Sequence, residues 1–262
     1  MVIEIEKELA VALAEARAAG DEALAKSCEL SEVPGSAQPY AVTLECSSPE
    51  AAFRELDRMV NDRNAASIER ARQIRLYLAW KGHVESQFLE GENFRRGRNI
   101  VQDYALARYW LTKAAERGHS GAQNNLGVMY ADGLGGDVDP EKAVYWYARS
   151  AEAGDYIAKS NLAMHLTEGR GTRRNYARAA KLFRESLRCD PYNARDHRLL
   201  AECYEHGVGG RNGLRLAIHH YQEASDFGSR MARAALRRLL KRGREDSPGI
   251  CYNIAHQRRT PQ

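Results

Sequence analysis

The stretch YADGLGGDVDPEKAVYWYARSAEAGD, residues 130–155, decides the fold because it joins a glycine-rich turn to a helical segment. A glycine-rich turn that opens a helix can bind phosphate through its backbone N–H groups and the helix dipole. Here the Gly-x-Gly element occurs three times, starting at Gly133, Gly169 and Gly207, at intervals of 36 and 38 residues. None of the copies has the additional glycine and acidic residue, or the Lys-Ser/Thr pair, of a nucleotide-binding loop. Recurrence at this period is typical of stacked helical-pair repeats, so the glycines are predicted to be turn residues.

Two columns of residues recur when the chain is aligned on itself at this period. The small column consists of Gly91, Gly127, Ala163 and Ala201. The large column, three residues later, consists of Phe94, Tyr130, Leu166 and Tyr204. Residues three apart share a helix face, so each small residue lets a second helix approach while its large neighbour packs beside it. The period predicts repeats at 48–83, 84–119, 120–155, 156–191 and 192–228, of which the first is degenerate.

The third repeat carries almost completely an extended motif of the form A-x-x-x-L-G-x-x-Y, a G-x-G turn, D-x-x-K-A, then W-Y-x-x-A-A-x-x-G. Its residues are Ala122, Leu126, Gly127, Tyr130, Gly133, Gly135, Asp139, Lys142, Ala143, Trp146, Tyr147, Ala151 and Gly154. This pattern resembles the Sel1-like repeat family, which is related to tetratricopeptide repeats. The resemblance extends over about 84–228 and implies an all-α fold, an α-solenoid of stacked antiparallel helix pairs of about 36 residues each. The second repeat departs from it at Gly97-Arg98-Asn99, which replaces the G-x-G turn.

The two ends of the array are predicted to be capping segments, because an array exposes apolar surface at each end. Residues 1–47 are predicted to form a helix over Ile3–Lys26 and a loop with a short extended piece at Tyr40–Leu44. Residues 48–228 are predicted to form the repeat array, and 229–262 a basic capping helix and tail. The capping helix is predicted to bury Met231, Ala235, Leu236, Leu239 and Leu240. Its opposite face carries Arg233, Arg237, Arg238, Lys241 and Arg242.

Composition limits the class of protein and its compartment. The chain has 262 residues, of which 44% are hydrophobic, and this content is too high for a disordered protein. Five irregularly spaced cysteines argue against a disulfide framework and favour a reducing compartment. The N-terminus lacks the basic region of a signal peptide, and no apolar run approaches the ~20 residues that cross a bilayer. A cytoplasmic protein without a membrane partner is therefore expected.

Three candidate chemical sites are weaker than their structural alternatives. Cys203 lies near His206 and His197 in sequence, but it also neighbours a packing tyrosine, and cysteine commonly behaves as a small buried hydrophobe. His219 and His220 are adjacent on a predicted helix and point in different directions, which is unfavourable for joint metal binding. Some relatives have been described as β-lactamase-like, but the chain contains no Ser-x-x-Lys motif. We therefore expect no enzymatic activity, metal, cofactor or small-molecule substrate.

The first helices of the repeats are expected to line a concave groove that binds another protein or a peptide segment. The groove positions lie three before, one after, four after and five after the small column. The predicted partner-binding residues are Phe88, Glu92, Arg95, Arg96, Asn124, Val128, Asp132, Ser160, Met164, Glu168, Arg198, Glu202, Glu205 and His206. The Lys/Asn set with which tetratricopeptide proteins clamp a peptide carboxylate is missing, so that activity is not implied.

Two functions remain open from the sequence. The favoured hypothesis is a non-catalytic adaptor or scaffold that binds a partner protein through the groove, in a signalling or regulatory complex. The alternative is a nucleic-acid-associated regulator that uses the basic C-terminal helix, in which seven basic residues fall between Arg230 and Arg244. The helix has no interleaved aromatic stacking platform, and the net charge is only +4, so nucleic acid is the less favoured partner.

Overall fold

The computed structural model describes residues 2–29, 43–45, 48, 52–54, 65–98 and 100–246. The chain divides into two compact units, 1–150 and 151–262. The helices that begin in the first unit are α1 (Ile5–Ala19), α2 (Glu22–Glu29), α3 (Ala65–Trp80), α4 (Val84–Arg96), α5 (Tyr104–Glu116), α6 (Ser120–Asp132) and α7 (Pro140–Glu152). The second unit contains α8 (Tyr156–Glu168), α9 (Tyr176–Cys189), α10 (Ala194–Glu205), α11 (Gly213–Asp226) and α12 (Arg230–Asp246). The prediction of an all-α fold of helix pairs is confirmed.

The first helix of each repeat begins at a side chain that caps its N-terminus. The capping residues are His83, His119, Asp155 and Asn193. For example, Nδ1 of His119 accepts a hydrogen bond from the N–H of Ala122 at 3.0 Å. Capping satisfies a backbone donor that has no partner within the helix, and it stabilises a helix by about 1 kcal/mol. The second helices α5, α7 and α9 are capped in the same way by Asp103, Asp139 and Asn175.

The glycines of the repeated turns have the left-handed backbone conformation expected of turn residues. Gly133 and Gly135 have φ of 70° and 75°, and Gly169 and Gly171 have φ of 72° and 66°. At Gly135 a Cβ atom would lie 2.2 Å from the carbonyl oxygen of Tyr104, so the turn also requires the absence of a side chain. The prediction that these glycines belong to turns is confirmed.

The small column contacts the second helix of its own repeat, as the sequence predicts. A Cβ atom on Gly127 would lie 2.7 Å from the ring of Tyr147, and one on Gly91 would lie 2.6 Å from Cγ of Leu111. Gly127 therefore allows α7 to approach α6 closely, and the Tyr147 side chain, which is 2% exposed, packs against it. In the second unit the corresponding residues Ala163, Phe183, Ala201 and Tyr221 are all buried.

The N-terminal region differs from the predicted single helix over Ile3–Lys26. Val2–Glu4 form a strand that pairs antiparallel with a strand over Thr43–Glu45, and the helix is interrupted at Gly20, where φ is 71°. The predicted extended piece Tyr40–Leu44 lies partly outside the described residues. The helix α2 packs on α5, because Nε1 of Trp110 donates a hydrogen bond to Oγ of Ser27 at 3.0 Å.

The C-terminal helix α12 packs on α11 through a set of side chains that matches the predicted one in part. Ala232, Leu236 and Leu239 are buried, whereas Met231 is 66% exposed. The prediction that Met231 is buried was wrong because the apolar stripe begins one residue later, at Ala232. The predicted tail after the helix lies outside the described residues.

Candidate partner-binding surface

The predicted groove positions differ in exposure according to their offset from the small column. The column five residues after it is exposed in all four repeats, and its members are Arg96, Asp132, Glu168 and His206. The column one residue after it is half-buried at Val128, Met164 and Glu202. We call these two columns, together with Arg95, the first-helix stripe, and describe it separately in each unit.

In the first unit, a buried carboxylate holds the two arginines of the stripe. Nε and one terminal nitrogen of Arg95 donate to the two carboxylate oxygens of Glu92 at 2.6 and 2.9 Å. Nε of Arg96 lies 2.7 Å from Oε2 of Glu92, whose side chain is 10% exposed. Burial raises the pKa of Glu92, but the hydrogen bonds and charges of the two arginines outweigh it, so its pKa lies below the usual value. Glu92 is therefore an ionised anchor for both guanidinium groups.

The same carboxylate connects the first helices of two consecutive repeats. Nδ2 of Asn125, on α6, donates a hydrogen bond to Oε1 of Glu92, on α4, at 2.8 Å. Phe88, also on α4, stacks on the His119 ring with centroids 4.2 Å apart. These contacts place α4 and α6 side by side, with Arg95 and Arg96 on one helix and Val128 and Asp132 on the other. Asn124 is 8% exposed and contributes little surface.

In the second unit, Ser160 belongs to a buried polar network. Its side chain, 1% exposed, donates from Oγ to Oδ1 of Asp196 at 2.5 Å. Oγ of Ser186 donates to the other oxygen of Asp196 at 2.8 Å, and a terminal nitrogen of Arg195 donates to Ser160 at 2.6 Å. The prediction that Ser160 is a surface position was wrong, because its hydroxyl is needed to satisfy a fully buried carboxylate.

The other predicted residues of the second unit lie at the surface, but several of them have intramolecular partners. The Arg198 guanidinium pairs with Glu202, one helical turn along α10. Glu205 accepts hydrogen bonds from the hydroxyl of Tyr221 at 2.5 Å and from Arg238 at 2.7 Å. The His206 ring stacks on Tyr176, with centroids 4.2 Å apart. Met164 is half-buried and Glu168 is exposed.

The Cys203 thiol has the properties of a packing residue. It is 0% exposed, and burial raises its pKa to about 12, so at neutral pH it is a thiol and lacks the thiolate that a nucleophile requires.

Two histidines of the second unit form a pair, because Nδ1 of His197 lies 3.0 Å from Nδ1 of His220. Among the residues whose side chains the structure describes, no group of three or more His, Cys, Asp or Glu residues could hold a metal ion.

Comparison with known families connects this geometry to one repeat type. The sequence model of the Sel1 repeat matches residues 84–119, 120–155, 157–190 and 196–228, which together make up just over half of the chain. The chain belongs to the Sel1 repeat family. The boundaries predicted for the repeats at 84–119 and 120–155 are confirmed, and the degenerate repeat at 48–83 is not among the matched segments.

Solved Sel1 repeat structures have the same fold. The chain is similar to c5321, a protective antigen present in uropathogenic Escherichia coli strains, with 25% identity over 76% of this chain and a TM-score of 0.65. It spans 42% of the length of that antigen. A Sel1 repeat protein from Oxalobacter formigenes is also 25% identical, with 80% of this chain and 88% of that chain covered and a TM-score of 0.62. No curated protein matches the sequence.

Sel1 repeat proteins are generally scaffolds for protein–protein interaction. Within the described ranges of this member, no helix combines the length and apolar content needed to span a membrane.

The basic helix α12 exposes Arg230, Arg233 and Arg237, and Arg238 is paired with Glu205. The acidic partner lowers the net positive charge of that surface.

The sequence interpretation missed one residue that fixes the stripe of this Sel1 repeat protein. Asn125 lies between two predicted groove positions and was not selected, although it is the residue that bonds to Glu92 on the neighbouring helix. The spacing of Glu92, Arg95 and Arg96 indicates their ion pairs, since charges three and four residues apart face each other on a helix, but it gives no signal for Asn125, which lies 33 residues from Glu92.

Proposed function

We propose that this Sel1 repeat protein is a non-catalytic adaptor that binds an acidic segment of a partner protein through the first-helix stripe. The interaction takes place in a signalling or regulatory complex in the cytoplasm. Family membership supports the adaptor role, and the odd number of irregularly spaced cysteines supports a reducing compartment. The stripe residues on α4 and α6 supply the contact surface in the first unit.

The observation that carries this proposal is the fixed orientation of Arg95 and Arg96. Long flexible side chains lose rotamer freedom when they bind, and this loss weakens an interface. Both guanidinium groups are already held by Glu92, so part of this loss has occurred before a partner arrives. Their side chains are 25% and 45% exposed, which leaves guanidinium surface for carboxylates of the partner.

A photo-crosslinking experiment tests where the partner binds. A photoreactive residue at the exposed position Asp132, on α6, is expected to form a covalent adduct with one defined protein in the native cell. The matched control is the same residue at the exposed position Glu141, on the second helix α7, which is expected to give no such adduct. Adducts of equal yield from both positions would contradict binding at the stripe.

The contribution of the arginines is tested by a neutral double variant. Arg95→Gln with Arg96→Gln is expected to lower the yield of the adduct at least about tenfold, as is typical when a hot-spot arginine is lost. The control Lys142→Gln with Arg149→Gln removes the same charge from α7 and is expected to preserve the yield. Equal yields from the two double variants would contradict the proposal. An adduct with nucleic acid, lost on charge removal in α12, would favour the alternative function.

A further inference from the structure

A pocket in the second unit, separate from the first-helix stripe, lies between α9, α10 and α11. Its volume is about 480 Å³, which is within the range of small-molecule sites. Five basic side chains line it: Arg184, Arg188, His197, His219 and His220. Glu223 is the one acidic residue of the lining, and its Oε1 lies 4.0 Å from Nδ1 of His219. The pocket therefore has an excess of groups that favour an anion.

The pKa of His220 is lowered both by burial and by this excess of basic groups. Burial lowers the pKa of His220 most, and the neighbouring His197, His219 and Arg184 lower it further, to about 4. The Tyr204 ring also faces His220, with centroids 5.6 Å apart. His220 is consequently neutral near pH 7, whereas Arg184 and Arg188 keep their charge because a guanidinium group is not deprotonated in proteins.

Hydrogen bonds connect the His220 ring to His197 and to the backbone at Pro191. The carbonyl oxygen of Pro191 can only accept, so Nε2 of His197, 3.0 Å away, is the donor. Nδ1 of His197 lies 3.0 Å from Nδ1 of His220, which joins the two rings. An anion bound in the pocket would favour the charged form of His220.

We propose that this pocket binds a small organic anion whose carboxylate or phosphate group contacts Arg184 and Arg188. Leu187 and Pro191 provide an apolar surface in the same pocket for the body of the ligand, and the buried Leu200 also lines it. Arginine recognises both anionic groups through paired N–H donors. The ligand is bound and is not chemically changed, so the site is compatible with an adaptor that responds to a metabolite.

Calorimetric titration with benzoate, phenyl phosphate and uncharged benzamide tests the proposal. Benzoate or phenyl phosphate is expected to give saturable binding, and the tighter of the two identifies the preferred anionic group. Benzamide has a similar shape without the charge and is expected to bind at least about tenfold more weakly. Equal affinity for benzamide, or no saturation by either anion at millimolar concentration, would overturn the proposal.

Substitution of the two arginines tests their role in the same titration. Arg184→Ala with Arg188→Ala is expected to weaken anion binding at least about tenfold, and both residues are exposed, so the fold should be retained. Arg178→Ala, an exposed arginine on α9 outside the pocket lining, is the control and should bind as the unaltered chain does. An unchanged affinity in the double variant would contradict the assignment.

Nuclear magnetic resonance of the His220 ring gives an independent measurement. Since binding and protonation are linked, a bound anion must raise the pKa of His220 by favouring its charged form. A pH titration with saturating phenyl phosphate is therefore expected to give a higher pKa for His220 than a titration without ligand. The same pKa in both titrations would show that the anion does not occupy this pocket.

Discussion

Replacing Asp196 with alanine should strongly destabilise the second unit. The Asp196 carboxylate is fully buried and accepts hydrogen bonds from Ser160 on α8, at 2.5 Å, and Ser186 on α9, at 2.8 Å. A hydrogen bond to a charged group contributes roughly 1.5–3 kcal/mol, and removal of one member of a buried network costs about 3–5 kcal/mol. Because two hydroxyls lose their acceptor together, we expect Asp196→Ala to lower the free energy of unfolding by about 3–5 kcal/mol.

Urea denaturation followed by circular dichroism measures this loss. The control Glu168→Ala removes an exposed carboxylate of the same unit and should change the free energy by less than about 0.5 kcal/mol. The triple variant Ser160→Ala, Ser186→Ala and Asp196→Ala leaves no hydroxyl unpaired at Asp196, so its loss should be smaller than the sum of the three single losses. If Asp196→Ala were no more destabilising than Glu168→Ala, the buried network would not hold the three helices together.

Three further predictions concern other parts of the chain. Trp146→Ala should lower the free energy of unfolding by about 3–5 kcal/mol in the same assay, since this side chain is 8% exposed; an unchanged transition would reopen it as a binding residue. Because the folded-state pKa of Glu92 is depressed, its ionised form stabilises the fold above the unfolded pKa, and this contribution is lost as pH falls through the folded pKa. Acid titration of stability should therefore show a smaller loss in Glu92→Gln than in the unaltered chain. Dithiothreitol should leave the melting temperature unchanged, because Cys203 is a free thiol; a marked fall would indicate a stabilising disulfide elsewhere.

The repeated part of the fold was predictable because one packing solution recurs along the chain. The sequence indicates that position 127 requires a small residue, because a glycine also stands one period earlier and a large residue follows three positions later. The contact of Gly127 with Tyr147 is the physical cause of that recurrence. The N-terminal region has no second copy with which to compare it. The interruption of its helix at Gly20 therefore gave no periodic signal.

The site was predictable only in part, because a fixed offset from the small column does not determine burial. Residues three before the column and one after it are four apart and share a helix face, yet Ser160 is buried while Met164 is half-buried. The two residues differ in burial because only Ser160 has a buried hydrogen-bond partner on another helix. Asp196 lies on the neighbouring helix and requires the Ser160 hydroxyl, and a contact between residues 36 apart in sequence is invisible within one helix.

The exposed column of the stripe is free to differ between repeats because the packing contacts use other columns. Its members Asp132, Glu168 and His206 have no role in the buried core, so their charges can be changed at little cost in stability. Arg96 is different, because its partner Glu92 is buried and also accepts a hydrogen bond from Asn125 on the next first helix. A reversal of charge at Arg96 would place two carboxylates one turn apart beside that contact, and would disturb folding and binding together. The neutral glutamine removes the guanidinium without adding repulsion. Loss of the partner in that variant, with the melting temperature largely preserved, would therefore measure recognition at the stripe itself.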